Sequence, residues 1–282
     1  MILNSVPVTA FPILLASALL PLAGQAAVIG LENFDYPDGS VVGRTGGTGW
    51  THEAFNDGNA PPQTPSDWDL EGGNIPQVVS STLITNNGGA IRQFGGITQG
   101  EFDSNEREGA IRGVGSVFFS TSITVAAMRP EGQNQWAGFS SHDFFPVNPN
   151  HEKIFFGVPG QSTETRYFGL SLGGPNPGTF TTIPVIAGQT YTLIGMVDFD
   201  NDLAAIWVNP DGGDTVSSYD ASLFFASNNW LTGLRLASNT GVAWDNVKVG
   251  TTFSDVLPVP EPSMPLLGLA GTVLLARRSR FV

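Results

Sequence analysis

Two groups of side chains in this 282-residue chain have types and spacings suited to chemistry, and each points to a different ligand. Asp198-x-Asp200-x-Asp202, with Asp211 and Asp214 close behind, offers the hard carboxylate oxygens that calcium prefers on loops. Leu203 stands where an EF-hand loop needs Gly and Asn209 where it needs a bidentate Glu, so this is no EF-hand. The same aspartates also suit turns, where their side chains bond nearby backbone. Trp50 and Trp68 lie in polar runs (Thr48-Gly49-Trp50-Thr51-His52 and Ser66-Asp67-Trp68-Asp69) and are candidates for stacking on a sugar ring. Trp136, Trp207 and Trp244 lie in alternating patterns and are expected in the core, while the exposure of Trp230, after Asn228-Asn229, is left open. His52, His142 and His151 match no compact metal motif and are expected as surface loop residues. Glu101, Asp103, Glu106 and Glu108 read as a solvated loop.

Other chemistries are excluded or weak. With no cysteine, thiol catalysis, Cys-ligated zinc and disulfides are ruled out. Gly113-Val114-Gly115-Ser116 lacks the pattern of a nucleophile elbow. Gly46-Gly47-Thr48-Gly49 is followed by neither Lys-Ser/Thr nor a helix, so it is no phosphate cradle. Twelve basic against 25 acidic residues give a net charge of −13, which argues against a nucleic-acid partner.

The elements that position these groups read as strands. Only 13% of residues are charged, and 35 Gly and 20 Pro punctuate the chain, a profile for short strands and turns. Alternation is clear in Thr190–Asp200, where Tyr191, Leu193, Val197 and Phe199 face one way. Leu203–Val208 is apolar on both faces, as an inner strand should be. Further strands are expected at Val78–Ile84, Val117–Met128, Trp136–Phe139, Lys153–Val158, Arg166–Leu172, Phe180–Val185, Leu231–Ala237 and around Val247 and Val249. About a dozen strands without helical blocks predict an all-β, antiparallel two-sheet sandwich in one domain, residues 27–257.

Both ends read as addresses. Residues 1–26 carry an uncharged apolar run, Phe11–Leu22, and then small residues, as in a signal peptide cleaved after Ala26. The other end, 258–282, holds Pro260-Glu261-Pro262, an apolar stretch Met264–Ala276 and the cluster Arg277, Arg278, Arg280. It resembles the PEP-CTERM sorting signal of bacterial surface proteins. That resemblance implies a membrane protease of exosortase type as partner, arginines held on the cytoplasmic side, and transient anchoring before release into the envelope or extracellular polymer. Thirteen apolar residues rise about 20 Å, short for a hydrocarbon core of about 30 Å, which suits temporary retention.

A second resemblance runs through the middle. Glu32-Asn33-Phe34-Asp35-Tyr36-Pro37-Asp38-Gly39-Ser40, Gly46–Trp50, Trp136-Ala137-Gly138-Phe139, the Thr190–Pro210 hairpin and Ala243–Gly250 are similar to concanavalin A-like (lectin/glucanase, laminin-G-like) domains. It implies a jelly-roll sandwich, a fold shared by lectins, adhesion modules and glycosidases. The Glu-x-Asp-x-x-Glu strand of glucanases of this fold is missing, so no catalytic residue is assigned. The expectation is an exported, non-enzymatic adhesive or structural protein with weak binding of exopolysaccharide or another glycan; the alternative is a polysaccharide hydrolase or lyase on the same fold.

Overall fold

The computed structural model describes residues 28–52, 64–65, 67–93, 115–142, 152–226 and 233–258. In chain order its strands are Val28–Glu32 (β1), Gly39–Ser40 (β2), Thr51–His52 (β3), Thr64–Pro65 (β4), Asp69–Gly73 (β5), Gln77–Val79 (β6), Thr82–Thr85 (β7), Gly88–Gln93 (β8) and Ser116–Val125 (β9). They continue with Gln135–His142 (β10), Glu152–Gln161 (β11), Tyr167–Leu172 (β12), Thr179–Pro184 (β13), Thr190–Asp198 (β14), Leu203–Val208 (β15), Ala221–Phe224 (β16), Gly233–Ser238 (β17) and Val242–Gly250 (β18). One short helix, Phe253–Val256 (α1), follows. The expected signal segment, the Pro260-Glu261-Pro262 motif, the arginine cluster and the apolar stretch 264–276 lie outside the described residues. Among the described residues no helix is long and apolar enough to cross a membrane.

Two antiparallel sheets face each other. The larger runs β16-β15-β14-β9-β18-β7-β6-β2, with β1 paired to the second half of β18. The smaller, seven-stranded sheet runs β13-β12-β11-β10-β17-β8-β5. Their inner faces carry the alternate apolar residues that period two selects, among them Ile123, Leu193, Val197 and Trp244 from one sheet and Phe139, Phe156, Leu170 and Leu236 from the other. The expected all-β jelly-roll sandwich is present. At its centre the rings of Phe139 and Phe156 stack at 5.2 Å. Gly195 makes room for them: a Cβ there would sit 2.8 Å from Phe156 and 2.9 Å from Phe139.

Some elements differ from expectation. The expected strand Val78–Ile84 is a hairpin, β6–β7, turning on Ser80 and Ser81, both with positive φ as a two-residue hairpin turn requires. Short pairings of two to four residues raise the strand number well above a dozen, because they carry too few residues for alternation to show. The apolar outer face of β15 has its own cause. Phe118, Ile194, Met196, Ala205 and Trp207 form a second cluster on the outside of the larger sheet, and α1 covers it with Phe253 and Val256. Asp255 fixes that cap, its Oδ2 accepting the backbone N–H groups of Thr251 and Thr252 at 3.0 and 2.8 Å.

Candidate functional site

The five aspartates expected to hold calcium lie in or beside turns. Asp198 Oδ1 accepts from the Asp200 and Asn201 amides, and its Oδ2 from the Asn201 side chain at 2.7 Å. Asp200 Oδ1 accepts from Gly115 N, and the left-handed φ of 52° at Asp202 closes the β14–β15 hairpin. In the next turn Asp211 Oδ1 accepts from Gly213 N at 2.7 Å, while Asp214 accepts from Asp211 N and from the Ser218 hydroxyl. Among the described residues no group of three His, Asp or Glu side chains is placed to hold a metal ion. Asp198, Asp200, Asp211 and Asp214 thus already accept hydrogen bonds from turn amides and neighbouring side chains.

The tryptophans exchange roles. Trp50 and Trp68, expected to be exposed, are 3% and 0% accessible, so neither offers a face to a sugar. The cause is long-range. Arg92, in β8 of the smaller sheet, lies over both indoles, 5.0 and 5.7 Å from the ring centroids, and pairs with Glu32 of β1 in the larger sheet. Glu32 Oε2 also accepts from the Tyr36 hydroxyl at 2.6 Å and from Trp68 Nε1 at 3.2 Å. Desolvation, and then the Glu32 carboxylate, push the Tyr36 phenol up to about 12. The glycine run serves this cage too. Gly49 has φ +80° and lies so close to the Ile29 carbonyl that any Cβ would collide, which lets the chain turn in and seat Trp50.

Trp136, expected in the core, stands partly exposed on the outer face of the seven-stranded sheet, because its neighbours Ala137 and Phe139 take the inward positions of β10. Around it gather polar groups from four strands. Arg235 of β17 lies 5.7 Å from its ring centroid. The Arg235 guanidinium donates to Glu152 Oε2 at 2.9 Å through Nη1, and its Nε faces Glu71 Oε2 at 3.5 Å, a charge contact rather than a hydrogen bond. Ser140 stands opposite Arg235 on β10, and His142 stands opposite Glu152. His142 is 5% accessible, not the surface loop residue the sequence suggests. Its position at the end of a strand on a crowded face explains the burial; His151 lies outside the described residues.

Three buried polar atoms of this face, Ser140 Oγ, Glu152 Oε1 and Arg235 Nε, have no hydrogen-bond partner among the described residues. Leaving such atoms dry costs about 1–3 kcal/mol each. An indole, a guanidinium and two carboxylates on one face can stack on and hydrogen-bond a polyhydroxylated ring. Sequence reading missed Arg235, Glu71 and Glu152 because they are far apart in the chain and meet only through sheet pairing; the lone Arg within the apolar run Leu234–Ala237 was the available signal.

No protein-family model matches the chain, and no curated protein does. Among solved structures the chain is similar to peanut lectin with a nine-residue peptide, at TM-score 0.43 and 11% identity over 72% of this chain and 96% of that one. It is similar to the metal-free lectin I-B4 from Griffonia simplicifolia, at TM-score 0.41 and 11% identity over 71% and 95%. It is also similar to Trypanosoma rangeli sialidase with difluorosialic acid, at TM-score 0.39 and 10% identity over 80% of this chain and 31% of that one.

Proposed function

We propose that this chain is an exported, non-enzymatic β-sandwich of the bacterial surface or extracellular matrix, adhering through weak glycan binding at the outer face of the seven-stranded sheet. One observation carries the binding reading: a partly exposed Trp136 beside Arg235, which draws Glu71 and Glu152 to the same face. Export and sorting rest on residues 1–26 and 258–282, with an exosortase-type protease acting near Pro260-Glu261-Pro262. A glycan array probed with the full chain and with Trp136→Ala tests the binding. Signals lost in the variant support it, and signals equal in both, or none from either, overturn it. For sorting, C-terminal peptides of secreted material should lack Arg277–Val282; a peptide ending in Val282 overturns that part.

The hydrolase reading has one observation in its favour, the two carboxylates sharing a face. Both carboxylates are turned to Arg235, at 3.5 and 2.9 Å, and the paired acid strand of glucanases is missing from the sequence, so binding is the reading carried forward. Release of reducing ends from polysaccharide, abolished in Glu71→Gln or Glu152→Gln, would reverse that choice.

A further inference from the structure

The outer face of the larger sheet divides in two along its strands. One half is the apolar patch under α1; the other is polar, and where they meet there is a groove of about 360 Å³. Its walls come from three adjacent strands. Lys248 of β18 stands opposite Ser120 of β9, and Ser122 of β9 stands opposite Thr192 of β14. A register shift in β18 between Asp245 and Lys248 leaves Asn246 in a left-handed conformation, φ 53°, at the groove's rim. Val256 of α1 and the following Pro258 close one end.

The lining has a consistent chemistry. The hydroxyls of Ser120, Ser122 and Thr192 make no hydrogen bond to any other described residue, so they remain available as donors and acceptors. Lys248 has no carboxylate within 4.0 Å among the described residues, and its Nζ donates one hydrogen bond, at 3.3 Å, to the Leu257 carbonyl. An ammonium carries three donors, so two are left for a ligand. Among the described residues no aromatic ring lines the groove, which removes the stacking that usually holds a neutral sugar. The volume lies near the lower end of the roughly 300–1,000 Å³ range of small-ligand sites, room for one or two sugar rings. A lone cation ringed by hydroxyls and an amide suits a ligand with one negative charge and many hydroxyls. The chain's net charge of −13 opposes such a ligand at long range, but salt screens that field beyond about 8 Å. Inside the groove the nearest charge is Lys248. The neighbouring Asp245 turns both oxygens to Asn246, accepting from its backbone amide at 2.7 Å and its side chain at 3.1 Å.

We infer that this groove is a second saccharide site, separate from the face at Trp136, and that it takes a carboxylated sugar unit, a uronate, with the carboxylate on Lys248 and ring hydroxyls on Ser120, Ser122, Thr192 and Asn246. Calorimetry on the full chain in mild detergent tests this with trigalacturonate, with maltotriose as the neutral arm and inorganic phosphate as the simple-anion arm. Trigalacturonate should bind and weaken as salt rises from about 50 to about 300 mM. Lys248→Met should lower affinity about tenfold or more, close to 1.4 kcal/mol. Ser122→Ala with Thr192→Val, which keeps the Lys248–Leu257 contact, should lower it about three- to tenfold. In a Trp136→Ala background both groove variants should still lower affinity by the same factors, so a failure here is distinct from a failure of the glycan reading of the other sheet. Equal binding of maltotriose, full competition by phosphate, absence of trigalacturonate binding, or wild-type affinity in both groove variants overturns the inference.

Discussion

Arg92 Nη1 donates to Glu32 Oε2 across 2.6 Å with both side chains 1% accessible, an ion pair passing through the sandwich from one sheet to the other. Burial alone lowers the pKa of Arg92 from its ordinary value, and Tyr36 and Glu32 oppose that. Breaking a buried pair strands the remaining charge, so Glu32→Gln or Arg92→Leu should each cost about 3–5 kcal/mol. Replacing both at once should cost less than the sum, because no lone charge remains. Urea titrations of the two single variants and the double variant measure both effects.

The Tyr36 phenol gives the same cage an alkaline limit. Its pKa lies near 12 in the folded chain against an ordinary 10.0. Between those values the unfolded chain binds fewer protons than the folded one, so stability falls as pH rises through that window. Tyr36→Phe should flatten this part of the stability profile. Denaturant midpoints measured from about pH 9 to about pH 12 test it, and an unchanged slope would count against the cage.

Gly195 leaves room for the two stacked rings at the centre of the core. Gly195→Ala forces a methyl into the stacked rings of Phe139 and Phe156, an overpacking cost of about 1–3 kcal/mol. The check is a lower denaturation midpoint with an unchanged denaturant slope.

At the β14–β15 hairpin Asp198→Ala removes a side chain that accepts three hydrogen bonds within the turn. The expected loss is about 1–2 kcal/mol, the same in millimolar calcium and in chelator. A rise in melting temperature with calcium that vanishes in the variant would restore the cation reading.

Much of the architecture was legible in the residues. Tyr191, Leu193, Val197 and Phe199 alternate in sequence and lie together in the core, because alternate residues of a strand share one face. What alternation cannot say is which sheet a strand joins or what covers its outer face. Trp207 is buried, but beneath Phe253, to which its ring lies at 4.9 Å, rather than between the sheets. Trp68 looked exposed because Ser66, Asp67 and Asp69 flank it, yet its environment is set by Arg92, 24 positions later, and Glu32, 36 positions earlier. The cluster around Arg235 needed strand order. Glu71, Glu152 and Arg235 sit on β5, β11 and β17, and nothing local in the sequence announces that these strands place them together.

Strand β18, the last of the described strands, is held between β9 on one side and β7 with β1 on the other. The larger sheet thus receives its keystone only when residues 242–250 have been made. A nascent polypeptide ending before them leaves β1 without its sheet partner and the β9 and β7 sides of the larger sheet unjoined, so that sheet closes only as residues 242–250 emerge.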